Sequence, residues 1–181
     1  MVKEAMVNVN NMGKMPALML WLAAVVLSSP ASADTQLNIT GNIKASPCSI
    51  DLPSGGLNVD LGQKIQASSL AEPGSSTDWK PFSIVLSECP VSTTVATMTL
   101  NGTADDVESS MYANTGTASQ VQIEVQNPAG TPLGNAAQMQ HNIHSARRST
   151  TFNMLARVYT AQGNATPGTI VGTMQVTFTY Q

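Results

Sequence analysis

The two cysteines are the residues of this chain whose spacing says most about their chemistry. Cys48 and Cys89 are its only cysteines, and 41 positions separate them. A redox-active pair usually has the Cys-x-x-Cys spacing, and a zinc site would need further ligands nearby, which neither cysteine has. In an oxidising compartment two such cysteines most simply pair with each other. We therefore predict a structural Cys48–Cys89 disulfide, which should stabilise the fold by about 4 kcal/mol.

The other residues that could bind metal or act as acid and base do not form a recognisable site. His141 and His144 are three positions apart, and on a strand or loop that spacing does not aim both rings at one ion, so we interpret this segment as a solvated loop. Asp105, Asp106 and Glu108 lack the spacing of a calcium-binding loop. No Gly-x-Ser-x-Gly elbow marks a nucleophilic serine. We predict no metal, no cofactor and no enzymatic activity.

The composition of the 181-residue chain excludes some classes of partner. Its formal net charge is −3, and only 10% of its residues are charged. Affinity for nucleic acid comes largely from clustered Lys and Arg, and Arg147 and Arg148 are the one basic pair of the region that follows the N-terminal leader. We therefore predict that the protein binds no nucleic acid. The abundance of Ser, Thr, Asn and Gln is typical of a β-protein with polar outer faces.

The N-terminus has the pattern of an export signal. A polar leader with Lys14 precedes the apolar stretch 17–27, and the small residues Ala31 and Ala33 follow it. The apolar stretch is too short to cross a bilayer, which takes about 20 residues. We therefore predict a signal peptide over residues 1–33 and an exported mature chain.

The rest of the chain alternates between apolar and polar residues with a period of two, which is typical of half-buried strands. Turn-forming residues separate the runs, while 66–78 and 103–118 are loop-like and could hold short helices. About seven short strands of this kind indicate one all-β sandwich. The runs are 37–43, 57–61, 82–86, 96–100, 121–125, 152–159 and 170–180.

The two ends of the mature chain do not fit a self-contained sandwich. The last apolar run reaches the C-terminus, so no later strand remains to pair with its outer edge. A long apolar edge is an aggregation hazard that proteins normally cover. The strand-like arm over 35–43 lies before the first cysteine, and it could cover this edge in its own molecule or in the next one. The pattern by itself leaves both arrangements open.

Four segments together resemble the pilins of the chaperone–usher pathway. The resemblance is strongest to the minor, adaptor subunit of type 1 fimbriae, the FimG type. Its most specific elements are the paired cysteines, the alternating arm, the penultimate Tyr180 and Gly168, the fourteenth residue from the end. The segments are 34–48, Leu86-Ser-Glu-Cys-Pro90, Asn101-Gly-Thr-Ala-Asp105 and Gly168 to Gln181.

The resemblance implies an incomplete immunoglobulin-like sandwich that lacks its final strand and is completed by donor-strand exchange. It divides the chain into a signal peptide over 1–33, a donor-strand arm over 34–45 and a pilin domain over 46–181. A periplasmic chaperone would first supply the missing strand, and the arm of the next subunit would then replace it, which is a form of β-augmentation.

The resemblance also assigns residues to the two halves of that joint. The donor face of the arm would be Thr35, Leu37, Ile39, Gly41 and Ile43, although Thr35 is more polar than pilin arms usually are at that position. The edge of the groove, held by the chaperone before assembly, would be Gly168, Ile170, Gly172, Met174, Val176, Phe178, Tyr180 and Gln181.

The function implied is that of a structural minor subunit of a type 1-like fimbrium that supports cell adhesion. The protein would pass through the periplasm and be assembled into a fimbrium on the cell surface. Its partners would be a periplasmic pilus chaperone, an outer-membrane usher and neighbouring subunits (an adaptor or tip adhesin, and a shaft pilin), with no small-molecule substrate. The alternative is a self-complete secreted module, immunoglobulin-like or carbohydrate-binding. In an immunoglobulin domain the core Trp comes soon after the first cysteine, whereas Trp79 lies just before the second, which counts against that alternative.

Overall fold

The computed structural model describes residues 47–53 and 55–181. This part of the chain contains eight strands and one short 3-10 helix, Ala67–Leu70, and it contains no α-helix. Within it no helix is long and apolar enough to cross a membrane. The predicted signal peptide and donor arm lie outside the described residues. The strands are β1 (Ser49–Asp51), β2 (Lys80–Ser87), β3 (Val95–Gly102), β4 (Tyr112–Ala113), β5 (Gln122–Gln126), β6 (Gln138–Asn142), β7 (Thr150–Tyr159) and β8 (Met174–Tyr180).

The strands form two antiparallel sheets, as the alternating pattern predicted. The five-stranded sheet has the order β1-β2-β7-β5-β4, and the three-stranded sheet has the order β6-β3-β8. In a two-sheet sandwich the inward side chains of both sheets interdigitate. Here the alternate residues of β2, β3 and β7 are buried between the sheets, among them Ile84, Leu86, Met98, Leu100, Phe152 and Met154.

The predicted disulfide is present and ties the start of the described chain to the sandwich. Cys48 and Cys89 are bonded, with their Cα atoms 4.2 Å apart. Cys48 precedes β1 and Cys89 follows β2, and the Cys89 amide donates a hydrogen bond to the Arg148 carbonyl over 3.0 Å. The bond therefore fixes one end of the sandwich, the end at which β8 finishes.

Two of the predicted strands differ from the observed ones. The run 57–61 forms no strand and lies in neither sheet, and the last strand begins at Met174 rather than at residue 170. The reason for the second difference is that Val171 bonds to the loop 114–119, and not to β3. Three short strands, β1, β4 and β6, were not predicted. Strand β4 has only two residues and lies in the segment 103–118 that was predicted to be loop-like, and β6 (Gln-Met-Gln-His-Asn) has only one apolar residue to show an alternation.

Tyr112 is the one side chain among the described residues with a buried polar atom that has no hydrogen-bond partner there. Its ring packs in the core, and the residue is 1% exposed. Burial raises the pKa of its phenol to about 12. The folded state therefore holds this hydroxyl neutral at a pH at which an unfolded tyrosine has already ionised.

We expect Tyr112→Phe to raise the free energy of unfolding by about 1 kcal/mol, because it removes a buried hydroxyl that makes no hydrogen bond. In the parent chain, ionisation of Tyr112 should leave the free energy of unfolding unchanged below pH 10. Between pH 10 and pH 12 this free energy should fall by about 1.4 kcal/mol per pH unit, because the phenol ionises in the unfolded chain before it ionises in the folded one. Urea unfolding between pH 8 and pH 12 measures both effects. A Phe variant that is less stable, or that keeps the same alkaline slope, would contradict this view of the site.

Candidate functional site

A groove of about 1170 Å³ opens between β8 and the segment 56–65. Its floor consists of inward-facing residues of the five-stranded sheet, which belong to the main hydrophobic core. The groove thus reaches from the surface to the centre of the sandwich, where a missing strand would lie. These floor residues are Phe82, Ile84, Ile123, Val125, Met154 and Ala156.

The apolar face of β8 is less well covered than the apolar face of its neighbour β3. The inward residues Ala96, Met98 and Leu100 of β3 are 0%, 0% and 2% exposed. By contrast, every inward residue of β8 is only partly buried. Since apolar side chains gain most when they are completely removed from water, β8 has unused capacity for burial. The inward residues of β8 are Met174, Val176, Phe178 and Tyr180.

The backbone of β8 has an equally specific arrangement. Gln181 and Val95 exchange both of their backbone hydrogen bonds, at 2.9 and 3.0 Å. In an antiparallel pair such residues alternate with residues whose N–H and C=O groups point the other way. The observed register makes Thr179, Thr177 and Gln175 the further bonded partners of β3. The backbone groups of Met174, Val176, Phe178 and Tyr180 therefore point to the outer edge of β8, with which no described strand pairs.

The opposite wall is the segment 56–65, which belongs to no strand and bends at Gln63. Val59, Leu61 and Ile65 pack against the core as partly buried residues. From residue 57 to residue 65, no backbone group is hydrogen-bonded to the backbone of another described residue. Asp60 shapes the segment, since its carboxylate accepts hydrogen bonds from the Gln63 side chain (2.8 Å) and the Gly62 amide (2.9 Å), which together lower its pKa.

The predicted groove-edge residues divide into two groups. Gly168, Ile170, Gly172, Met174 and Val176 line the groove. Gly168 is required by space, since a Cβ there would lie 2.3 Å from the Ala118 amide nitrogen. A Cβ on Gly172 would lie 2.5 Å from the end of the Ile123 side chain, which can move aside. The position of Gly168 in the sequence thus has a physical cause in the close approach of two backbones.

Phe178, Tyr180 and Gln181 lie at the end of β8 beside the disulfide and do not line the groove. The Tyr180 ring stacks on Phe178 with the ring centroids 6.4 Å apart. Its phenol oxygen faces the backbone of Cys48. Burial raises the pKa of this phenol, and a hydrogen bond from the Cys48 backbone partly offsets the rise. The end of β8 is therefore anchored beside Cys48, near the start of the described chain.

The His and Asp residues that were predicted to form no metal or catalytic site lie in ordinary surroundings, and one of those predictions needs a correction. The prediction of a solvated loop is wrong for His141, which lies on β6 with its ring stacked on Phe152 at 4.7 Å. His144 is exposed in the following turn. The Asp105 carboxylate accepts hydrogen bonds from the two amides that close its own turn, at 2.9 and 3.0 Å. No group of three or more potential metal ligands occurs in the described part of the chain.

The predicted donor residues lie outside the described residues, so the structure does not place them. They are Thr35, Leu37, Ile39, Gly41 and Ile43. Two features of the groove were not foreseen from the sequence. One is the wall 56–65, whose alternation looks like that of an ordinary strand. The other is the loop 114–119, whose Asn, Thr and Ser residues carry no apolar pattern and yet hold the start of the C-terminal segment.

The known proteins that this chain resembles are fimbrial proteins. Residues 37–181 match the family model of the fimbrial protein. The chain is 32% identical over 162 residues to protein FimG of Escherichia coli (strain K12), covering 88% of this chain and 94% of the relative. It is 33% identical over 152 residues to the S-fimbrial adhesin protein SfaS of Escherichia coli O6:K15:H31 (strain 536 / UPEC), covering 84% of this chain and 88% of the relative.

Solved structures share the fold. The P pilus rod subunit PapA superposes with a TM-score of 0.61 and 18% identity, over 75% of this chain and 100% of that one. A subunit from the structure of a chaperone–usher pilus also gives a TM-score of 0.61 and 18% identity, over 84% of this chain and 99% of that one. At this level of identity the likeness concerns the fold alone.

Proposed function

Because the chain belongs to the fimbrial protein family, we propose that it is a minor, FimG-like adaptor subunit of a chaperone–usher pilus that joins its neighbours by donated strands. Its pilin domain, 46–181, receives a strand in the groove, and its arm, 34–45, donates one to another subunit. One observation carries this proposal above all. The residues of β8 that turn apolar side chains inward are also the residues whose backbone groups point to the free edge.

The gain from inserting a strand comes from two sources. An apolar side chain contributes about 1.5–3 kcal/mol when it becomes completely buried, and β8 has four inward residues that are only partly buried. Each ladder hydrogen bond adds about 1 kcal/mol, and both walls of the groove offer backbone groups for such a ladder. Main-chain bonds then supply general affinity, while alternate side chains supply specificity.

The arm is shorter than the groove edge and matches it in pattern. Residues 35–43 span roughly 30 Å when extended, and the segment from Gly168 to Tyr180 would span roughly 40 Å, so the arm can lie within that edge. Leu37, Ile39 and Ile43 are the apolar residues of the donor face. Gly41 in that row fits a place where the donated backbone lies close to the floor, since glycine in a strand allows such an approach.

We extend the proposal to the route of assembly. The signal peptide directs the chain to the periplasm, where the disulfide can form. A pilus chaperone there covers β8 and contacts Tyr180 and the C-terminal carboxylate, and an outer-membrane usher passes the subunit to its neighbours. The role is structural and supports adhesion at the cell surface, and we propose no catalytic step.

Hydrogen exchange tests the proposal at single residues. In the isotopically labelled chain, an added peptide of sequence 34–46 should slow amide exchange at Val176 and Phe178 by at least tenfold, because these amides point to the open edge. Thr177 and Thr179 should already be protected by β3 and should change little. Two-dimensional NMR after transfer to D2O resolves these amides.

Three results would contradict the proposal that a donated strand pairs with β8. If the peptide leaves exchange at Val176 and Phe178 unchanged, and these amides are unprotected, the groove does not accept a strand. If Thr177 and Thr179 gain the new protection instead, β8 has the opposite orientation. If Val176 and Phe178 are protected at every protein concentration without peptide, the molecule closes its own groove and is a self-complete module.

A further inference from the structure

The groove wall that precedes β8 is held by side chains rather than by a regular ladder. Residues 166–172 line the groove but belong to no strand. They run beside the loop 114–119, to which only three backbone–backbone hydrogen bonds join them, at 2.8, 3.1 and 3.2 Å. The position of this wall therefore depends on the polar side chains of a loop from which only Ala118 lines the groove.

Asn114 is the centre of these contacts. Its Oδ1 accepts hydrogen bonds from the Gly116 amide (2.9 Å) and the Val171 amide (2.8 Å). Its Nδ2 donates to the Ala118 carbonyl (2.8 Å) and more weakly to the Thr169 carbonyl (3.4 Å). One side chain thus fixes the shape of its own loop and binds the facing segment at two positions.

Paired hydroxyl groups complete the contact on either side. The Thr117 and Thr169 hydroxyls lie 3.2 Å apart, and each also accepts a hydrogen bond from the other residue's amide, at 2.9 and 3.0 Å. The Ser119 and Thr166 hydroxyls are 2.9 Å apart. Glycine is needed within the contact, since a Cβ on Gly116 would lie 2.1 Å from the Thr169 carbonyl oxygen.

The contact determines where Ile170 points. Ile170 lies between Thr169 and Val171, the two residues that Asn114 binds, and its side chain lines the groove. It packs against a small cluster at this end of the sandwich, whose buried members are Leu70, Val121 and Val158. A change in the 166–172 segment would therefore change the apolar surface offered to an incoming strand at this end.

We propose that Asn114 is a positioning residue for strand capture: it holds the 166–172 wall so that Ile170 faces the strand donated by a neighbouring subunit. This inference rests on the proposed function. It adds a requirement outside the groove, since Asn114 itself does not line it. The consequence is that loss of Asn114 should weaken retention of the donated strand more than it weakens the sandwich.

The test compares Asn114→Ala with the matched control Asn127→Ala in the full chain. Asn127 also braces a loop, since its Oδ1 accepts hydrogen bonds from the Ala129 and Thr131 amides at 3.0 and 2.9 Å, but it lies away from the groove. We expect a fluorescent peptide of sequence 34–46 to dissociate about tenfold faster from Asn114→Ala, and at the parent rate from Asn127→Ala. Fluorescence anisotropy gives the rates, and urea unfolding gives the stability of each variant.

A second variant separates positioning from a general loss of stability. Asn114→Asp keeps both acceptor contacts but loses the Nδ2 donor at neutral pH, whereas a protonated carboxyl group regains one O–H donor. Peptide dissociation from Asn114→Asp should therefore be faster than from the parent chain at pH 7 and approach the parent rate at pH 3. The parent chain, measured at the same two values, controls for other effects of acid.

The outcomes distinguish this inference from the proposed function. If the parent chain does not retain the peptide, the proposed function fails. If the parent retains it and Asn114→Ala releases it no faster than Asn127→Ala does, only the role of Asn114 is overturned. Equal acceleration in both variants, in proportion to their loss of stability, would likewise show that Asn114 is merely structural.

Discussion

A chain extended after Gln181 by a short turn and a second copy of residues 34–45 should be a monomer, with a free energy of unfolding about 5 kcal/mol or more above that of the parent chain. Gln181 directly follows β8, beside the open edge, so a short turn returns the added strand antiparallel to β8. The added strand covers the half-buried residues of β8 and bonds to their outward backbone groups. Because it is part of the same molecule, no entropy of association opposes it.

Size-exclusion chromatography and urea unfolding of the parent and extended chains measure this effect. The matched control carries the same extension with aspartate in place of its isoleucine that corresponds to Ile39. That control has equal length and nearly equal composition, and it should keep less than half of the gain. A parent chain that is already monomeric and equally stable would mean that the sandwich needs no further strand.

The alternation of apolar residues was sufficient to predict the strands that form the core. Strand β3 shows why: Ala96, Met98 and Leu100 point inward and are buried, while the residues between them are polar or part-exposed. The disulfide also followed from the sequence, because only two cysteines are present.

What the sequence did not show depends on contacts between distant residues that have no apolar signature. The segment 57–61 has the same alternation as a strand, and only the structure shows that it stands apart from both sheets as a groove wall. Asn114 makes hydrogen bonds to Val171 and Thr169, which are more than 50 positions away along the chain, and no local pattern predicts such contacts. The place of Gly168 was known from family resemblance, and the nearby Ala118 backbone supplies its reason.

The position of Cys48 bears on the proposed joint. Cys48 lies beside Tyr180, at the end of the sandwich where β8 finishes. A strand that preceded Cys48 directly and paired with its own β8 would have to run parallel to it. A strand from another molecule has no such tether and can run antiparallel, the pairing with slightly more stable hydrogen bonds. This difference supports the proposal that the arm is donated to another molecule.

Ile39→Asp should reduce joining between subunits by about a thousandfold, the second large effect that we expect. Within the proposed donor face Ile39 is the central residue, and the floor it would meet consists of apolar core residues such as Ile84 and Val125. An unpaired carboxylate placed there loses the burial of the isoleucine and also carries the cost of desolvating a charge, together about 4 kcal/mol or more. Joining is measured as the affinity of arm peptides for the parent chain.

The neighbouring residue Asn38 provides the control, because successive side chains of a strand point to opposite faces. Asn38→Asp adds the same charge to the same arm on the side that should face solvent, so it should change the affinity by less than about threefold. Equal losses for both variants would show that charge alone, and not burial of the odd-numbered face, decides the result. Loss for Asn38→Asp with retention for Ile39→Asp would place the opposite face of the arm in the groove and reverse the donor assignment.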